Sequence, residues 1–354
     1  MMKQQIIRCT DIENDLRGLL KSLDYSGLFV LMDENTERFC LPRLLGIKEI
    51  EAAKKIIIPS GDENKNLQSL SAVWEFLSQN GATRKSLLIN LGGGMTTDLG
   101  GFAAAAFKRG IRFINIPTTL LGAVDAAVGG KTGINFGGLK NEIGAFCPAE
   151  AVLIDSQFFR TLDLTNLLSG YAELLKHALI AAPPKSSLPC GEVLSFDFET
   201  IDYEHLNDLL FESVLVKEKI VEQDPREEGL RKALNLGHTF GHAFESLSHE
   251  LKRLVPHGYA VAWGLICELY LSFIKLGFDK TILSKVTRFI KENYGIFSFD
   301  CSQYDRLFEL MRHDKKNDSN GINFTLLKAL GEVEINQTAA KEEIEEALDY
   351  LREI

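Results

Sequence analysis

The architecture of this chain is most clearly indicated by the segment Ser86-Leu-Leu-Ile-Asn-Leu-Gly-Gly-Gly-Met-Thr-Thr-Asp98. It opens with a short apolar run that predicts a buried strand. The three glycines that follow let the backbone approach a ligand closely, and a helix after them would point amide hydrogens at a phosphate. The alternative is a tight turn without a ligand, because the pattern is not the GxGxxG fingerprint of dinucleotide-binding proteins.

Similar apolar runs occur on both sides of this stretch and alternate with helical patterns. Strands are predicted at Leu28–Met32, Lys55–Ile58 and Phe113–Ile116, and Leu67–Gln79 has apolar residues at helical spacing. Strand–helix alternation is typical of a mostly parallel sheet covered on both faces. The first half is therefore predicted to be a Rossmann-like α/β domain.

The second half has a different pattern, with apolar residues at helical spacing and few alternating runs. The prolines of Ala182–Asp197 predict a loop there, and the charged segment Lys341–Arg352 predicts a solvated helix. We predict an α/β domain over residues 1–160 and an all-α domain over residues 161–354, whose helices include Leu162–Ala182, Tyr203–Gln223, Leu234–Leu247, Val261–Lys275 and Thr281–Tyr294.

The composition excludes several classes of protein. The 354 residues favour two domains, and the net charge of -10 argues against a nucleic-acid binder. Six scattered cysteines without a CxxC pair favour reduced thiols. The N-terminus lacks a signal-peptide pattern, and we expect no apolar run of membrane length. A cytoplasmic enzyme without membrane partners is the expectation.

The segment Pro117–Gly133 contains polar residues and glycines within apolar sequence. Gly130-Lys131-Thr132 does not complete a P-loop, because Asp125 stands where the first glycine is needed. Asp125 and Lys131 suit a substrate that is both hydroxylated and anionic. The alternative is a structural turn with a surface lysine.

The second half contains the residues of a candidate metal site. His238 and His242 are one helical turn apart and share a face. Without the HExxH pattern a metalloprotease is disfavoured. His257 at a predicted helix start and Glu173 beside Lys176 complete a carboxylate and imidazole set suited to zinc or a similar cation. Each residue alone could be an ordinary hydrogen-bonded side chain.

These motifs together resemble 3-dehydroquinate synthases. The resemblance runs from about Asp33 to Leu327 and rests on the order and spacing of Gly92–Gly94 with Asp98, Ile116–Gly144, Ser169–Lys176, Leu234–Glu245, His257-Gly258 and Asp314–Asn317. It implies a Rossmann-like domain followed by a helical domain, with the active site in the cleft. It also implies a homodimer, in which Arg109 reaches the neighbouring subunit's site.

The resemblance further implies one NAD and one divalent cation, zinc or cobalt, per subunit. Glu173, His238 and His257 would hold the cation, and His242 would face the substrate instead. Implied NAD contacts are Asp33, Asn35, Asp62, Lys65, Gly93, Gly94, Met95, Asp98, Thr118, Thr119, Thr161 and Leu162, with Lys131 and Lys140 beside them. Implied substrate contacts are Asp125, Lys131, Lys140, Asn141, Lys176, Lys217, Arg231, Asn235, His242 and one of Lys315 or Lys316.

The sequence departs from the family pattern in three places. Asp62 stands where glutamate is usual, Tyr259 replaces an acidic residue, and the interval from His238 to His257 is slightly longer. None of these changes removes an implied metal ligand.

The family's reaction converts the sugar phosphate 3-deoxy-D-arabino-heptulosonate 7-phosphate into 3-dehydroquinate and phosphate. It combines transient oxidation by NAD, β-elimination, reduction and an intramolecular aldol, with His242 and Lys176 as candidates for proton transfer. The alternatives are another sugar phosphate cyclase, a metal-dependent alcohol or glycerol dehydrogenase, and an inactive NAD-binding module.

Overall fold

The computed structural model describes residues 4–181, 188–312 and 321–354. Its described residues form two compact units. The first unit covers Met1–Asp163 and Asp202–Val214, and the second covers Leu164–Ile201 and Leu215–Ile354.

The first unit is built on a six-stranded sheet in the order β1-β8-β5-β4-β2-β3, in which every pair of neighbours is parallel. A separate antiparallel hairpin pairs β6 with β7. The strands are β1 (Gln5–Arg8), β2 (Leu28–Asp33), β3 (Lys54–Ile58), β4 (Leu87–Gly92), β5 (Arg112–Pro117), β6 (Lys131–Phe136), β7 (Leu139–Phe146) and β8 (Ala151–Ile154).

Five α-helices of this unit connect the strands: α1 (Ile12–Ser22), α2 (Glu34–Phe39), α3 (Lys48–Ala52), α4 (Leu67–Gln79) and α5 (Gly94–Ala106). Strands β2 and β4 are buried along their whole length, as expected for central strands of a covered parallel sheet. Helix α4 begins where the side chain of Asn66 accepts a hydrogen bond from the Ser69 amide. The predicted α/β class is confirmed.

The second unit is mainly helical. Its elements are α6 (Leu164–Ile180), α7 (Cys190–Val193), α8 (Tyr203–Gln223, which begins in the first unit), α9 (His238–Glu250), α10 (His257–Leu276), α11 (Lys280–Tyr294), α12 (Tyr304–Arg312), strands β9 (Phe324–Ala329) and β10 (Glu332–Gln337), and α13 (Lys341–Glu353). The predicted loop Ala182–Asp197 lies partly outside the described residues, and its described part contains α7.

Three details of the second unit differ from the prediction. The antiparallel hairpin of β9 and β10, which turns at Gly331 with a φ of 73°, was not expected in an all-α half. The helix predicted from Leu234 begins only at His238, because Gly237 adopts a left-handed φ of 80°. Helix α10 begins one turn earlier than predicted.

Helix α10 is also long and apolar enough to cross a membrane by length and composition, with a mean hydropathy of 1.4 over its best window. The expectation concerned an uninterrupted apolar run, and Glu268 interrupts the apolar residues of this helix. Because 67% of that window is buried within the protein, the apolar residues of α10 are accounted for by core packing. All six cysteines are free.

Candidate metal and nucleotide sites

Three potential metal ligands from separate helices converge in the second unit. Glu173 lies on α6, while His238 and His257 are the first residues of α9 and α10. One ligand atom from each lies within 4.8 Å of the other two. The Nε2 atoms of His238 and His257 are 3.4 and 3.5 Å from Oε1 of Glu173.

Glycines allow these helices to approach one another at the level of the backbone. A Cβ atom at Gly258, next to His257, would overlap the carbonyl oxygen of Ser169 on α6. A Cβ at Gly264 of α10 would overlap the carbonyl oxygen of Gly237, next to His238. The positions of the two imidazoles relative to Glu173 are therefore set by main-chain packing.

Each imidazole is oriented through its other ring nitrogen. Nδ1 of His238 lies 3.1 Å from the carbonyl oxygen of Leu236, and Nδ1 of His257 lies 3.0 Å from Oε2 of Glu245. When Nδ1 donates its hydrogen to these acceptors, Nε2 carries the lone pair that a metal requires.

The charge of Glu173 is maintained by its neighbours. Burial alone would raise its pKa, but the Lys176 ammonium and the nearby imidazoles of His238 and His257 hold the pKa well below the ordinary value. The Lys176 ammonium donates directly to Oε2 of Glu173, and both side chains are fully buried. Oε1 accepts no hydrogen bond from the described residues.

The pKa of His257 is shifted in the opposite direction. Burial lowers it, but the neighbouring carboxylates of Glu173 and Glu245 outweigh burial and raise it to about 9. Without a metal, a proton thus occupies the imidazole between the two carboxylates. A cation at Nε2 would replace that proton.

The donor set fits a divalent cation. Nitrogen and oxygen donors about 2.0–2.1 Å from a tetrahedral zinc ion lie about 3.4 Å apart, close to the separations of the imidazole nitrogens from Oε1 of Glu173. The buried carboxylate oxygen without a hydrogen bond is the atom that a cation would satisfy. Three protein ligands would leave a fourth position open, as in catalytic sites.

His242 is adjacent to this set but is not part of it. Its ring centroid is 5.4 Å from that of His238 and 6.0 Å from that of His257. Lys176 lies beside Glu173. The other implied substrate contacts of this unit are two buried cations, Lys217 and Arg231, and Asn235, whose amide donates to Glu227 at 3.3 Å.

In the first unit, the glycine turn lies at the carboxyl edge of the parallel sheet. Gly93 is the N-cap of α5, and no described side chain caps that helix end. The amide of Thr118, which follows β5, donates to the carbonyl of Gly92 at 3.0 Å. A Cβ at Gly93 would lie 3.0 Å from Cγ2 of Thr119. This edge resembles the anion-binding turns that precede helices.

Several implied cofactor contacts lie around this turn. Asp33 ends β2, caps α2 by accepting from Asn35, and also accepts from Thr96 at 3.4 Å. Lys65 forms a largely buried ion pair of 2.7 Å with Asp98 on α5, next to the helix end that contains Gly94 and Met95. Thr161 and Leu162 end the turn of 3-10 helix after β8.

The remaining implied contacts of this unit are dispersed. Asp125 lies in a short π-helical segment, Lys131 begins β6, and Lys140 and Asn141 lie on β7. Arg109 precedes β5 and therefore lies at the amino edge of the sheet, opposite the glycine turn. Lys315 and Lys316 lie outside the described residues.

Two residues that depart from the family pattern make defined contacts. The Tyr259 ring packs edge-on against that of Tyr294, with centroids 5.0 Å apart, where an acidic residue is usual. The Asp62 carboxylate accepts a hydrogen bond of 3.1 Å from Asn135.

Two carboxylates that the sequence analysis did not single out support the ligand set. Glu245 lies two turns after His238 on the same face of α9, so helical spacing could have identified it. Glu268 is fully buried in α10 and accepts hydrogen bonds from the amides of Gly237 at 2.7 Å and Thr239 at 3.0 Å. A lone acidic residue in an apolar helix was its signal.

Comparison with known proteins identifies the family. Models of the 3-dehydroquinate synthase N-terminal and C-terminal domains match residues 55–169 and 170–317. The 3-dehydroquinate synthase of Parabacteroides distasonis is 54% identical over 100% of this chain and 99% of the relative. That of Clostridium tetani is 35% identical over 96% of this chain and 91% of the relative.

Solved structures share the fold at lower identity. A 2-epi-5-epi-valiolone synthase from Streptomyces hygroscopicus subsp. jinggangensis, with NAD+ and Zn2+ bound, has a TM-score of 0.85 at 23% identity and covers 100% of this chain and 98% of its own. A 2-deoxy-scyllo-inosose synthase, complexed with carbaglucose-6-phosphate, NAD+ and Co2+, has a TM-score of 0.80 at 22% identity, covering 99% and 96%. Since the family models span most of the chain and the relatives match nearly all of it, the chain belongs to the 3-dehydroquinate synthase family.

Proposed function

We propose that this chain is a carbon–oxygen lyase, a 3-dehydroquinate synthase that converts 3-deoxy-D-arabino-heptulosonate 7-phosphate into 3-dehydroquinate and phosphate. The observation that carries the proposal is the convergence of Glu173, His238 and His257 within a chain of this family. We further propose that residues 1–160 bind NAD, that residues 161–354 bind the metal, and that the enzyme works in the cytoplasm.

The cofactor assignment follows from the two sites. The amides at the start of α5 suit the pyrophosphate of NAD, and the three converging side chains suit zinc or cobalt. When bound, NAD supplies a reversible hydride acceptor and the cation supplies a Lewis acid. Glu173, His238 and His257 would hold the cation.

The other residues would bind the substrate and move its protons. Lys217 and Arg231 are buried cations suited to the carboxylate or phosphate of the substrate. His242 is close to both metal-ligand imidazoles and is a candidate for proton transfer. Lys176 has the same candidate role and also stabilises the Glu173 carboxylate.

The position of Arg109 supports a homodimer. It lies at the amino edge of the sheet, and the strand between that edge and the glycine turn spans roughly 20 Å. Arg109 therefore lies far from the glycine turn of its own chain. We propose that it contacts the substrate in a partner subunit.

The reaction is tested by supplying the purified enzyme, with NAD and zinc or cobalt, with three sugar phosphates and measuring phosphate release. We expect release from 3-deoxy-D-arabino-heptulosonate 7-phosphate, without net accumulation of NADH. Release from sedoheptulose 7-phosphate or glucose 6-phosphate instead would indicate another cyclase. Stoichiometric NADH would indicate a dehydrogenase.

The dimer is tested by mixing two inactive variants, Arg109→Ala and His238→Ala. In a randomly mixed dimer, the Arg109→Ala subunit retains its metal ligands and receives Arg109 from its partner. We expect recovery of about a quarter of wild-type activity, since half of the dimers are mixed and each has one intact site. No recovery, despite mixed dimers seen by native mass spectrometry, would contradict the arrangement.

A further inference from the structure

Asn135 on β6 connects two segments of the first unit that the proposed function assigns to different ligands. It is half-buried and belongs to neither implied contact set. One segment contains Asp62 and Lys65, the implied cofactor contacts. The other contains Asn141, an implied substrate contact.

The contacts of Asn135 with the cofactor segment involve both its side chain and its main chain. Its amide nitrogen Nδ2 donates to the main-chain oxygen of Asp62 at 3.0 Å and to its carboxylate at 3.1 Å. The main-chain amide of Asn135 donates to the carbonyl of Lys65 at 2.8 Å. Three hydrogen bonds thus fix the short 3-10 turn Asp62–Asn64 against β6.

The other side of the same amide group holds the hairpin. Oδ1 of Asn135 accepts a hydrogen bond of 2.9 Å from the main-chain amide of Asn141. Asn141 has a left-handed φ of 52°, and Gly137 and Gly138 between them have φ values of 61° and 82°. Glycine and asparagine adopt such φ values readily, which leaves this turn conformationally permissive, and the hydrogen bond to Asn135 is a local restraint on it.

The side-chain bonds to the Asp62 carboxylate and from the Asn141 amide require a side chain that donates on one side and accepts on the other. An amide does both, whereas aspartate would present a second carboxylate to Asp62 and alanine would offer neither bond. Asp62 stands where the family usually has glutamate, and its side chain is one methylene shorter. The amide nitrogen of Asn135 is the donor that holds the Asp62 carboxylate.

We propose that Asn135 is a positioning residue that sets Asp62 for NAD and Asn141 for the sugar phosphate. This inference rests on the proposed function, because that function assigns a ligand to each segment. It adds a residue to the site and predicts that one side chain affects the binding of both ligands.

The test compares Asn135→Ala with Asn135→Asp. NAD affinity is measured by equilibrium dialysis without turnover, and the KM for the sugar phosphate by phosphate release. Alanine removes both bonds, so we expect the Kd for NAD to rise about tenfold and the KM for the sugar phosphate several-fold. Aspartate keeps the acceptor for Asn141, so the KM for the sugar phosphate should stay near the wild-type value, while the Kd for NAD rises at least as much because two carboxylates face each other.

The control is Asn14→Ala, an exposed asparagine of α1 in the same unit, which should change neither constant. An unchanged Kd for NAD in both Asn135 variants would overturn the inference and leave Asn135 as a support of the hairpin. An equal rise in the KM for the sugar phosphate in both would also overturn it. If the alanine variant does not fold, the aspartate variant decides alone. A wild-type enzyme that binds NAD but releases no phosphate would refute the proposed function separately.

Discussion

The two units present their candidate sites by different means. In the second unit, a buried carboxylate and two imidazoles from three helices face one another, and the chemistry lies in side chains. In the first unit, the central feature is a glycine turn and a helix end, where main-chain amides are presented. A region that depends on side chains should lose its function when side-chain atoms are removed. A region that depends on close main-chain packing should be disrupted when a Cβ atom is added.

The largest expected effect is the loss of a ligand, in His238→Ala. One of three protein ligands disappears. Metal affinity should therefore fall by more than the roughly hundredfold typical of changing a residue that only orients a ligand, and turnover should fall as well. Metal content after dialysis and phosphate release measure the two effects. His249→Ala, an exposed histidine on the same helix, should behave as wild type. A His238→Ala enzyme with stoichiometric metal and full activity would rule out the ligand assignment.

The second prediction concerns pH. The pKa of His257 is raised from 6.5 to about 9. Its proton therefore stabilises the folded, metal-free chain fully below pH 6.5, and this contribution is lost as the pH rises through about 9. A cation must displace that proton, so metal affinity should rise with pH by up to about tenfold per unit and level off near pH 9. Chelator competition at several pH values tests this, and an affinity independent of pH would contradict it.

The third prediction concerns Glu245, whose carboxylate contacts Nδ1 of His257. Glu245→Ala removes the acceptor that orients His257, so metal affinity should fall about tenfold to a hundredfold while the fold is retained. Glu250→Ala on the same helix removes only a surface ion pair with Arg306 and should leave metal affinity unchanged. Equal affinities in the two variants would show that Glu245 does not orient the ligand.

The fourth prediction adds an atom in the first unit. A Cβ at Gly100 on α5 would overlap Oδ1 of Asn90 on β4, so Gly100→Ala should destabilise the fold by about 1–3 kcal/mol. Gly18→Ala is the matched control, because nothing lies within 4 Å of its Cβ on α1. That helical substitution should stabilise by about 0.5–1 kcal/mol. Urea denaturation compares them, and equal stabilities would contradict the close packing of α5 on β4.

The same contrast explains how far the sequence could predict the structure. Hydrophobic periodicity and glycine placement predicted strands β2 to β5 of the parallel sheet, α4 and the main helices, because those signals are local. The edge strands β1 and β8 were not predicted. The β9–β10 hairpin was missed because its six-residue strands follow a long helical region of the sequence. The left-handed Gly237 was also missed, since one glycine inside an apolar helical pattern does not reveal its φ.

The candidate site depended on non-local information. Spacing alone pairs His238 with His242, yet the imidazole that joins His238 beside Glu173 comes from α10, many residues away. Which helices meet is decided by tertiary packing. Residue types alone keep His242 among the candidate ligands, and only the family resemblance excludes it. Neither helical spacing nor the family resemblance indicated Asn135. Its importance lies in its hydrogen bonds with Asp62 and Asn141, which lie in different segments.

The backbone contacts at Gly258 and Gly264 also bear on the choice of ion. Helices that already touch main chain to main chain cannot move closer, and moving apart would break the packing of α10 against its neighbours. The space between the ligand atoms of Glu173, His238 and His257 is therefore matched to small cations with short bonds to nitrogen. Calcium, with bonds of about 2.3–2.6 Å and a preference for oxygen, fits poorly. Among transition metals of similar radius the framework discriminates little, so supply in the cell would decide which one is loaded.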